Sequence, residues 1–491
     1  MATVDSTPGA RAAGQEAPPR WLFVDLDGTL LRGDLLWEGL TGLLHSSPLA
    51  LLLVPVWLFR GKARLKQRLA EKVDVAPEVL PFRQSVQDHI DVAHRAGRKI
   101  VLASASPMRW VRAVAQHLGR FDGVLASEAQ VNLRGPAKLD AIREMTQGQP
   151  FEYVGDSSAD LSVWRGAAVA TLVHRNARLE RGLPSDSHLQ WLDAHHRVAW
   201  MDYLREMRPV QWIKNGLVFA PLILAHQAAD TTRTLATVVA FLAFCAVASA
   251  GYVFNDLMDI QSDRRHSTKR LRPIASGSIS IPGALGLLAG LLVVFAGFVM
   301  FLLSPATTLM LVAYLVLTLA YSYYFKQQLL LDALVLAGLY THRVLTGGIA
   351  ADVTVSPWLL VFSGFLFLSL AFVKRFSELQ ILPEGHSQTI ERRAYRSGDL
   401  TTVETMGLCC AFMSVLVLCL FVSGGDVIQL YSTPVLLWAM PPIMLYWVAR
   451  IWMLAKRGEL HSDPVLFAVS DRPSYVCGAL LTIVVLVAAR L

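Results

Sequence analysis

Three aspartates and an asparagine lie close together in the stretch NDLMDIQSD, residues 255–263. If one helix runs through it, Asn255, Asp259 and Asp263 share a face, because residues four apart are neighbours on a helix. Such oxygen-bearing side chains suit a hard cation such as Mg²⁺. The basic residues Lys269 and Arg272 follow and could hold the rest of an anionic ligand. The stretch indicates a Mg²⁺–diphosphate site; the alternative is a solvated, charge-balanced loop between two apolar segments.

A second set of polar residues follows short apolar runs near the start of the chain. The run WLFV, residues 21–24, ends in DLDGTL, and another run at 100–103 ends at Ser104. Open α/β folds place ligands at the carboxyl ends of buried parallel strands. Helical stretches separate most of the strand candidates, which predicts a doubly wound α/β sheet. Those candidates are residues 21–24, 99–103, 123–126, 151–155 and 168–173.

The polar residues occur as four motifs in a fixed order. Asp-x-Asp-Gly-Thr, a strand-end Ser, a Lys and Gly-Asp-x-x-x-Asp together resemble haloacid-dehalogenase-like phosphatases. The resemblance implies that Asp25 attacks phosphorus and that Asp27 protonates the leaving group and then activates water. Ser104 and Lys138 would stabilise the phosphoryl oxygens. The implied Mg²⁺ ligands are Asp25, Asp27 through its carbonyl, and Asp156, with Asp160 as a further ligand or a support.

An insertion between the first two motifs, about residues 31–86, lies where the resemblance expects a cap that selects substrate. It reads as helical and contains eleven consecutive apolar residues, 49–59, followed by a basic run at 60–68. Eleven residues are too few to span a bilayer, which takes about 20. A buried cap helix is the default interpretation. The alternative is an interfacial helix on lipid headgroups, which would suit a lipid-linked substrate.

The composition divides the chain into a soluble part and a membrane part. Of its 491 residues 54% are hydrophobic and 17% charged, and apolar segments dominate beyond about position 212. The net charge of +7 comes mostly from loops between these segments, as the positive-inside rule expects, so nucleic acid is not an expected partner. The five cysteines lack metal or disulfide spacing. The predicted parts are a disordered tail (1–19), the α/β domain (20–195), an interfacial linker helix (196–211) and an all-α membrane domain (212–491).

Nine transmembrane spans are predicted, and the loops after the even-numbered spans carry most of the Lys and Arg. These loops and the α/β domain should therefore face the cytoplasm. The predicted spans are centred in residues 212–225, 235–254, 282–303, 306–325, 329–349, 358–373, 403–422, 433–450 and 474–489.

Nine spans with Asn-Asp-x-x-Asp-x-x-x-Asp after the second resemble the UbiA-type intramembrane prenyltransferases, over most of residues 207–491. Within that superfamily RPVQWIKN, residues 208–215, and KRFSEL, residues 374–379, look like the branch that makes polyprenyl-phosphate phosphoribose. Ordinary members carry a second aspartate-rich motif after span six. This chain has a basic loop there, a better partner for an additional phosphate than for a second Mg²⁺.

The resemblance implies phosphoribosyl pyrophosphate as donor and a polyprenyl phosphate as acceptor. Mg²⁺ on Asp256, Asp259 and Asp263 would neutralise the departing pyrophosphate. Asp332 and Arg343 lie inside a predicted span, where they could pair structurally or bind ligand; Arg343 is the better candidate for the acceptor phosphate. The substrate-binding candidates are Lys214, Asn255, Lys269, Arg272, Tyr321, Lys326, Arg343, Lys374, Arg375, Glu378 and Tyr395.

Together the two resemblances predict a bifunctional, Mg²⁺-dependent enzyme of the bacterial inner membrane, with room for a homo-oligomer. It would transfer 5-phosphoribose to the lipid and then remove the 5-phosphate, for cell-envelope glycan synthesis. One alternative is a prenyltransferase that uses a prenyl diphosphate and an aromatic or other acceptor, beside an unrelated phosphatase. Another is a lipid-binding or transport module with the phosphatase as the only enzyme.

Overall fold

The computed structural model describes residues 18–128, 133–184, 188–193, 200–381, 394–425, 427, 431–460 and 463–490. The chain clusters into two compact units. The first comprises Met1–Asp202 together with Leu257–Ala284, and the second comprises Tyr203–Asp256 and Leu285–Leu491. The first unit is thus discontinuous in the sequence, since it includes a segment that lies between two apolar helices.

The first unit contains a six-stranded, fully parallel sheet in the order β3-β2-β1-β4-β5-β6. Five strands were predicted; the sixth was missed because its polar, half-exposed sequence HLQWLD forms an edge with no apolar run. The doubly wound α/β prediction is confirmed. The strands are β1 Trp21–Val24, β2 Lys99–Pro107, β3 Gly123–Ser127, β4 Phe151–Gly155, β5 Val169–His174 and β6 His188–Asp193.

Helices cover both faces of this sheet, because successive strand residues point to opposite sides. Leu22 and Val24 of β1 lie in one buried cluster, whereas Phe23 lies in another with Tyr153 and Trp164. The α-helices of the unit are Leu35–Ser46, Val54–Phe59, Lys62–Lys72, Gln84–Arg95, Met108–Leu118, Pro136–Thr146, Leu161–Trp164, Ala177–Glu180 and Ile260–Arg265. Its 3₁₀ turns are Pro48–Leu53, Pro77–Val79, Ser158–Asp160 and Lys269–Leu271.

The apolar tip of the cap, residues 48–59, is buried on only one side. Leu51, Val54 and Trp57 pack against the core of the unit. The other side is exposed: Leu52 keeps 75% of its surface accessible and Phe59 keeps 93%. The default interpretation of a buried cap helix is therefore wrong for this outer face.

The second unit is helical, and the part of the chain that the structure describes contains eight helices long and apolar enough to cross a membrane. Where the first of about nine spans was predicted, the structure has a 3₁₀ segment, Pro209–Phe219, followed by the short helix Ala220–Leu224, and neither is among these eight. The predicted span was short, and Pro221 would interrupt a continuous helix there, which accounts for the absence of one long helix. The eight helices are Thr231–Met258, Ile281–Phe301, Pro305–Tyr323, Leu331–Ala351, Pro357–Gln380, Ser397–Val422, Pro434–Lys456 and Arg472–Ala489.

The aspartate-rich stretch is not one continuous helix. The first helix ends at Met258 and the next begins at Ile260, with Asp259 between them at φ −98° and ψ 9°. The backbone N–H of Asp263 donates to the carbonyl of Asp259 at 2.8 Å, so the helical turn resumes at once. The prediction that Asn255, Asp259 and Asp263 share one helical face required a single continuous helix, and the structure does not have one there.

Candidate active sites

The turn after β1 is built so that its acidic residues can approach β4. Asp25 donates its backbone N–H to the Val154 carbonyl at 3.0 Å, which extends the sheet by one residue. Gly28 has φ +82°, and a Cβ there would lie 2.3 Å from Asp156 Oδ2, so only glycine permits this approach. Arg83 donates from Nε and Nη2 to the carbonyls of Thr29 and Gly28, at 3.0 Å each. Arg83, which sequence reasoning missed, thus fixes the shape of the turn.

The predicted nucleophile and the predicted lysine meet in the core of this site. Lys138 Nζ donates to Asp25 Oδ1 at 2.8 Å and to the Tyr153 hydroxyl at 2.8 Å. Tyr153 in turn donates to Asp160 Oδ1 at 2.7 Å. Thr29 Oγ1 donates to the second carboxylate oxygen of Asp25 at 3.2 Å. The Asp25 carboxylate is therefore held from both sides by groups that start far apart in the sequence.

Three carboxylates at this edge of the sheet could hold a metal ion. One ligand oxygen each from Asp25, Asp156 and Asp160 lies within 4.8 Å of the others. Burial raises the pKa of Asp25 to about 8, against the opposing charge of Lys138 and with Asp160 adding to the rise. Burial and Asp160 likewise raise the pKa of Asp156 to about 6. Buried acids that repel each other are the donor set that a hard divalent cation would stabilise, so these residues fit Mg²⁺.

The predicted acid–base residue Asp27 is bound by the cap. Lys66 Nζ, from the cap helix Lys62–Lys72, lies 3.0 Å from Asp27 Oδ2 and 3.1 Å from Asp34. Ser106 Oγ donates to the same Asp27 oxygen at 2.5 Å. Lys66 was noted only as part of a basic run, so its role could not be read without the fold.

The strand-end serine that was singled out, Ser104, is fully buried. Its Oγ accepts the backbone N–H of Ser106 at 3.0 Å, so it shapes the end of β2. Ser106 lies two residues along the same strand and contacts Asp27, and the spacing of two is the signal that could have found it.

A cavity of about 510 Å³ opens over these groups. It is lined by the motif residues, by the cap and by the segment Leu257–Ala284 of the same unit. Cationic side chains around it include Arg32, Lys62, Lys66, Arg134, Lys138 and Arg264. The arrangement can bind an anionic group, attack it from a carboxylate and supply a proton.

Several residues predicted for the membrane site belong to the first unit. Arg272 Nη1 lies 2.5 Å from Asp263 Oδ2, and Asp263 is buried. Asp259 is half-buried, and Lys269 is exposed. In this unit the structure therefore brings together Asp263 and Arg272 of the predicted set.

In the second unit Asp256 is buried and forms an ion pair with Arg208, whose guanidinium lies 5.3 Å from the centre of the Tyr252 ring. Asn255, its neighbour in the motif, is half-buried. Arg208 is the first residue of the segment RPVQWIKN, so this contact joins two of the motifs that carried the family resemblance.

Two predicted lysines converge on an acid that was not predicted. Lys214 Nζ lies 2.8 Å from Asp463 Oδ2, and Lys374 Nζ lies 3.3 Å from the same oxygen. Burial favours the neutral form of Asp463, but the two lysines outweigh it and hold its pKa below the usual range. The segment before the last span thus supplies a carboxylate that sets two cations side by side.

Arg343 has polar partners for all of its guanidinium nitrogens. It donates to Asn215 Oδ1 at 2.9 Å, to the Leu339 carbonyl at 2.7 Å and to the Tyr314 hydroxyl at 2.6 Å. The guanidinium also lies 5.4 Å from the centre of the Tyr340 ring. Its buried position among aromatic rings fixes one orientation of the charge.

Asp332 pairs with Arg375, so the structural pairing of Asp332 with Arg343 is wrong. Arg375 Nε lies 2.8 Å from Asp332 Oδ2, and both side chains are fully buried. Tyr395 donates to Asp332 Oδ1 at 2.6 Å, and Glu378 forms an ion pair with Arg375 Nη1. The predicted residues Arg375, Glu378 and Tyr395 therefore form one cluster. Of the remaining predicted residues, Lys326 is buried and Tyr321 is half-buried.

The sites of the first and second units can be compared with two known protein families. The model of the UbiA prenyltransferase family matches residues 216–488, more than half of the chain. The chain belongs to this family. A haloacid dehalogenase-like hydrolase model matches residues 22–165, so the two resemblances read from the motifs are both confirmed. With eight apolar candidate spans, this UbiA prenyltransferase family member is an integral membrane protein.

Relatives extend over different parts of the chain. The protein y4nM of Sinorhizobium fredii, described as uncharacterized, is 39% identical over 94% of this chain and 89% of its own length. The nodulation protein NoeC of Azorhizobium caulinodans is 35% identical over 57% of this chain and 91% of its own. The decaprenyl-phosphate phosphoribosyltransferase of Mycolicibacterium smegmatis is 37% identical over 36% of this chain and 57% of its own.

Proposed function

We propose that this chain transfers 5-phosphoribose from phosphoribosyl pyrophosphate to a polyprenyl phosphate and then removes the 5-phosphate. One observation carries the proposal. A single chain joins a membrane region similar to decaprenyl-phosphate phosphoribosyltransferase to a site in which Asp25, Lys138, Asp156 and Asp160 form one connected cluster. A phosphoribosyl transfer leaves a phosphate monoester on the lipid-linked sugar, and such a cluster is suited to hydrolyse it.

In the transferase step the residues of this chain would position two anionic ligands. The pair Lys214 and Lys374, aligned by Asp463, would bind phosphate oxygens, and the buried Arg343, held by Asn215, would add positive charge on the side of the acceptor phosphate. Asp256, Asp259 and Asp263 would hold Mg²⁺ at the departing pyrophosphate. Asp256 forms an ion pair with Arg208 in the second unit, and Asp263 forms one with Arg272 in the first, so each arginine is a candidate for a phosphate oxygen. The C1–O bond to pyrophosphate breaks while a lipid phosphate oxygen bonds to C1.

In the phosphatase step Asp25 would attack the phosphorus of the 5-phosphate, and the P–O bond to the sugar would break. Asp27, held by Lys66 and Ser106, would give its proton to the departing sugar oxygen and then take one from the attacking water. Lys138 would neutralise the phosphoryl oxygens beside Asp25. Bound Mg²⁺ would supply further neutralisation of these oxygens. The products are inorganic phosphate and the polyprenyl-phosphate ribose.

The exposed apolar side of the cap supports a substrate carried by a lipid. Leu52 and Phe59 project from the first unit, and the exposed basic residues Arg60, Lys62 and Arg64 follow them. Apolar side chains beside cations are suited to the interface of an anionic membrane. We infer that the cap tip lies on the bacterial inner membrane, with the Lys- and Arg-rich loops of the chain in the cytoplasm, and that the product serves cell-envelope glycan synthesis.

The proposal is tested with purified full-length protein, Mg²⁺, phosphoribosyl pyrophosphate and a polyprenyl phosphate. The lipid products are identified by mass spectrometry. Wild type should yield the ribosyl lipid, and Asp25→Asn should stop at the 5-phosphorylated lipid. Asp140→Asn, a change at an exposed aspartate outside the site, is the matched control and should behave as wild type.

Two results would contradict the proposal in different places. Absence of any ribosyl product would remove the transferase assignment and favour a prenyl diphosphate donor. Accumulation of the 5-phosphorylated lipid by wild type as well as by Asp25→Asn would leave the transferase in place and assign the phosphatase to another substrate.

A further inference from the structure

The segment that joins the helix Ile260–Arg265 to the apolar helix Ile281–Phe301 belongs to the first unit. We call this segment, together with the adjoining helix ends, the connector; it comprises residues 264–282. Two of its isoleucines, Ile274 and Ile279, are each only 1% exposed. The Ile279 N–H donates to the Pro273 carbonyl at 3.0 Å, which closes the connector into a compact turn. The connector is therefore a packed part of the unit that contains Asp25.

A buried ion pair fixes the connector to the cap. Arg264 donates from Nη1 and Nη2 to the two carboxylate oxygens of Glu38, at 2.9 and 2.8 Å. Its Nε donates to the Ala275 carbonyl at 3.0 Å, so each of the three guanidinium nitrogens has a partner. Both charged side chains are only 6% exposed. A two-point contact of this kind is geometrically strict, and leaving either buried charge without its partner is costly.

A second contact lies where the chain enters and leaves the cap. Gly277 has φ +74°, and a Cβ there would lie 2.9 Å from Arg32 Cβ and 3.3 Å from Pro81 Cβ. Arg32 and Pro81 are themselves joined, since the Arg32 N–H donates to the Pro81 carbonyl at 3.0 Å. The connector backbone is thus in direct contact with the two chain segments, at Arg32 and Pro81, that link the cap to the sheet.

These contacts bring the connector to the cavity above Asp25. Arg264, Ile274, Gly277, Ile279 and Ser280 line the same 510 Å³ space as Asp25, Asp27 and Lys138. A phosphoryl group bound at Asp25 would fill only the part of that space next to Asp25. The remainder is available to whatever the phosphate is attached to, and part of its wall is connector.

We propose that the connector is the substrate-selecting wall of the phosphatase pocket, where it contacts the sugar of a sugar phosphate, and that Arg264 is the positioning residue that holds this wall through Glu38. The inference rests on the proposed function, in which that sugar is a ribose linked to a lipid. In this scheme Arg264 does not contact the reacting atoms but acts through the wall, because each of its three guanidinium nitrogens already donates to Glu38 or Ala275.

The test compares kcat and KM of full-length wild type and Arg264→Ala on three substrates. Acetyl phosphate is small enough to reach Asp25 without the wall, ribose 5-phosphate adds the sugar, and the 5-phosphoribosyl lipid adds the chain. We expect kcat/KM to fall about tenfold for the two sugar substrates, mostly through KM, and to stay within about twofold for acetyl phosphate. Arg265→Ala, at the exposed neighbouring arginine, should match wild type on all three.

Two further variants keep the inference testable if Arg264→Ala is unstable. The charge exchange Glu38→Arg with Arg264→Glu should recover most of the lost selectivity, and Gly277→Ala should lower it with the ion pair intact. An equal loss on all three substrates, or no loss on any, would overturn the inference. Wild type that discriminates between the soluble substrates as expected but leaves the lipid intact would overturn the proposed function and support the selecting wall.

Discussion

Asp25 and Asp156 lie together in a buried site, and this has a measurable consequence for metal binding. With pKa values raised to about 8 and about 6, the pair carries roughly one proton at pH 7. A divalent cation favours the ionised carboxylates, so Mg²⁺ binding should release about one proton at pH 7 and fewer as the pH rises above 8.

Calorimetry of Mg²⁺ binding in buffers with different ionisation enthalpies measures this proton release. Asp25→Asn should abolish most of it, whereas Asp140→Asn should leave it unchanged. Release of no protons by wild type at pH 7 would contradict the raised pKa of Asp25.

Glu152, the second residue of β4, is a buried acid whose partners stabilise its charge. Burial alone favours the neutral form, but hydrogen bonds with His89 and Thr171 and the charge of Arg98, all at 2.7 Å, lower its pKa to about 2. Because the folded pKa lies below the unfolded one, this stabilisation is present above about pH 4.5 and is lost as the pH falls toward 2.

We therefore expect Glu152→Gln to lower the stability of the first unit at neutral pH by a few kcal/mol, and to flatten its acid dependence. Hydrogen exchange of the β4 and β5 peptides in the full-length protein, corrected for intrinsic rates, measures both effects. Glu144→Gln, at an exposed glutamate of the same unit, is the control. An unchanged pH dependence in Glu152→Gln would show that another group governs acid stability.

At the scale of elements, the cap tip makes a prediction about membranes. Leu52 and Phe59 are exposed on a short helical segment, and burying each apolar side chain is worth about 1.5–3 kcal/mol. Replacing both by Ser should reduce dephosphorylation of the 5-phosphoribosyl lipid in anionic vesicles and leave acetyl phosphate hydrolysis unchanged.

The matched control for the tip is Val92→Ser, a change at an exposed apolar residue of the helix Gln84–Arg95. Lipid turnover in vesicles should be unaffected by it. If the double tip variant also kept full activity on the lipid, the tip would have no part in reaching the membrane.

Helices and strands with a clear apolar pattern in their own sequence were predictable. The strands β1 and β4 are short, mostly apolar runs that end in the motifs, so their membership of a buried parallel sheet was predictable. The edge strand β6 has no such run, because it needs burial on one side only. The break at Asp259 was equally unreadable, since acidic residues four apart suit a continuous helix and an interrupted one alike.

The sites show the same division. Asp25 and Lys138 were found because each belongs to a family motif, although 113 residues separate them. Lys66, Asp463 and Arg264 were not assigned their partners, because each acts through a contact with a distant part of the chain. A charged residue in a basic loop carries no local sign of which acid it meets.

At the scale of the whole molecule, covalent linkage predicts how the two reactions follow each other. Tethering raises the local concentration of the lipid product at the second site. Wild type should therefore accumulate little 5-phosphorylated lipid. An equimolar mixture of Asp25→Asn and Asp256→Asn, each with one site disabled, should accumulate it before the final product appears.

A time course of lipid product masses, at equal numbers of active sites and low protein-to-detergent ratio, distinguishes the two cases. Each variant alone should complete only its own reaction. Identical time courses for wild type and the mixture would show that the intermediate leaves the protein freely between steps.

The discontinuity of the first unit also bears on how the protein is made. Residues 203–284, the last of which complete this unit, are synthesised after its sheet, and 82 residues take a ribosome about 4–16 s. During that interval the sheet and cap exist without the connector, while the helix Thr231–Met258 is being inserted into the membrane. The nascent pocket around Asp25 therefore lacks part of its lining until residues 264–282 have been synthesised, which happens only after the apolar helix Thr231–Met258 has been made.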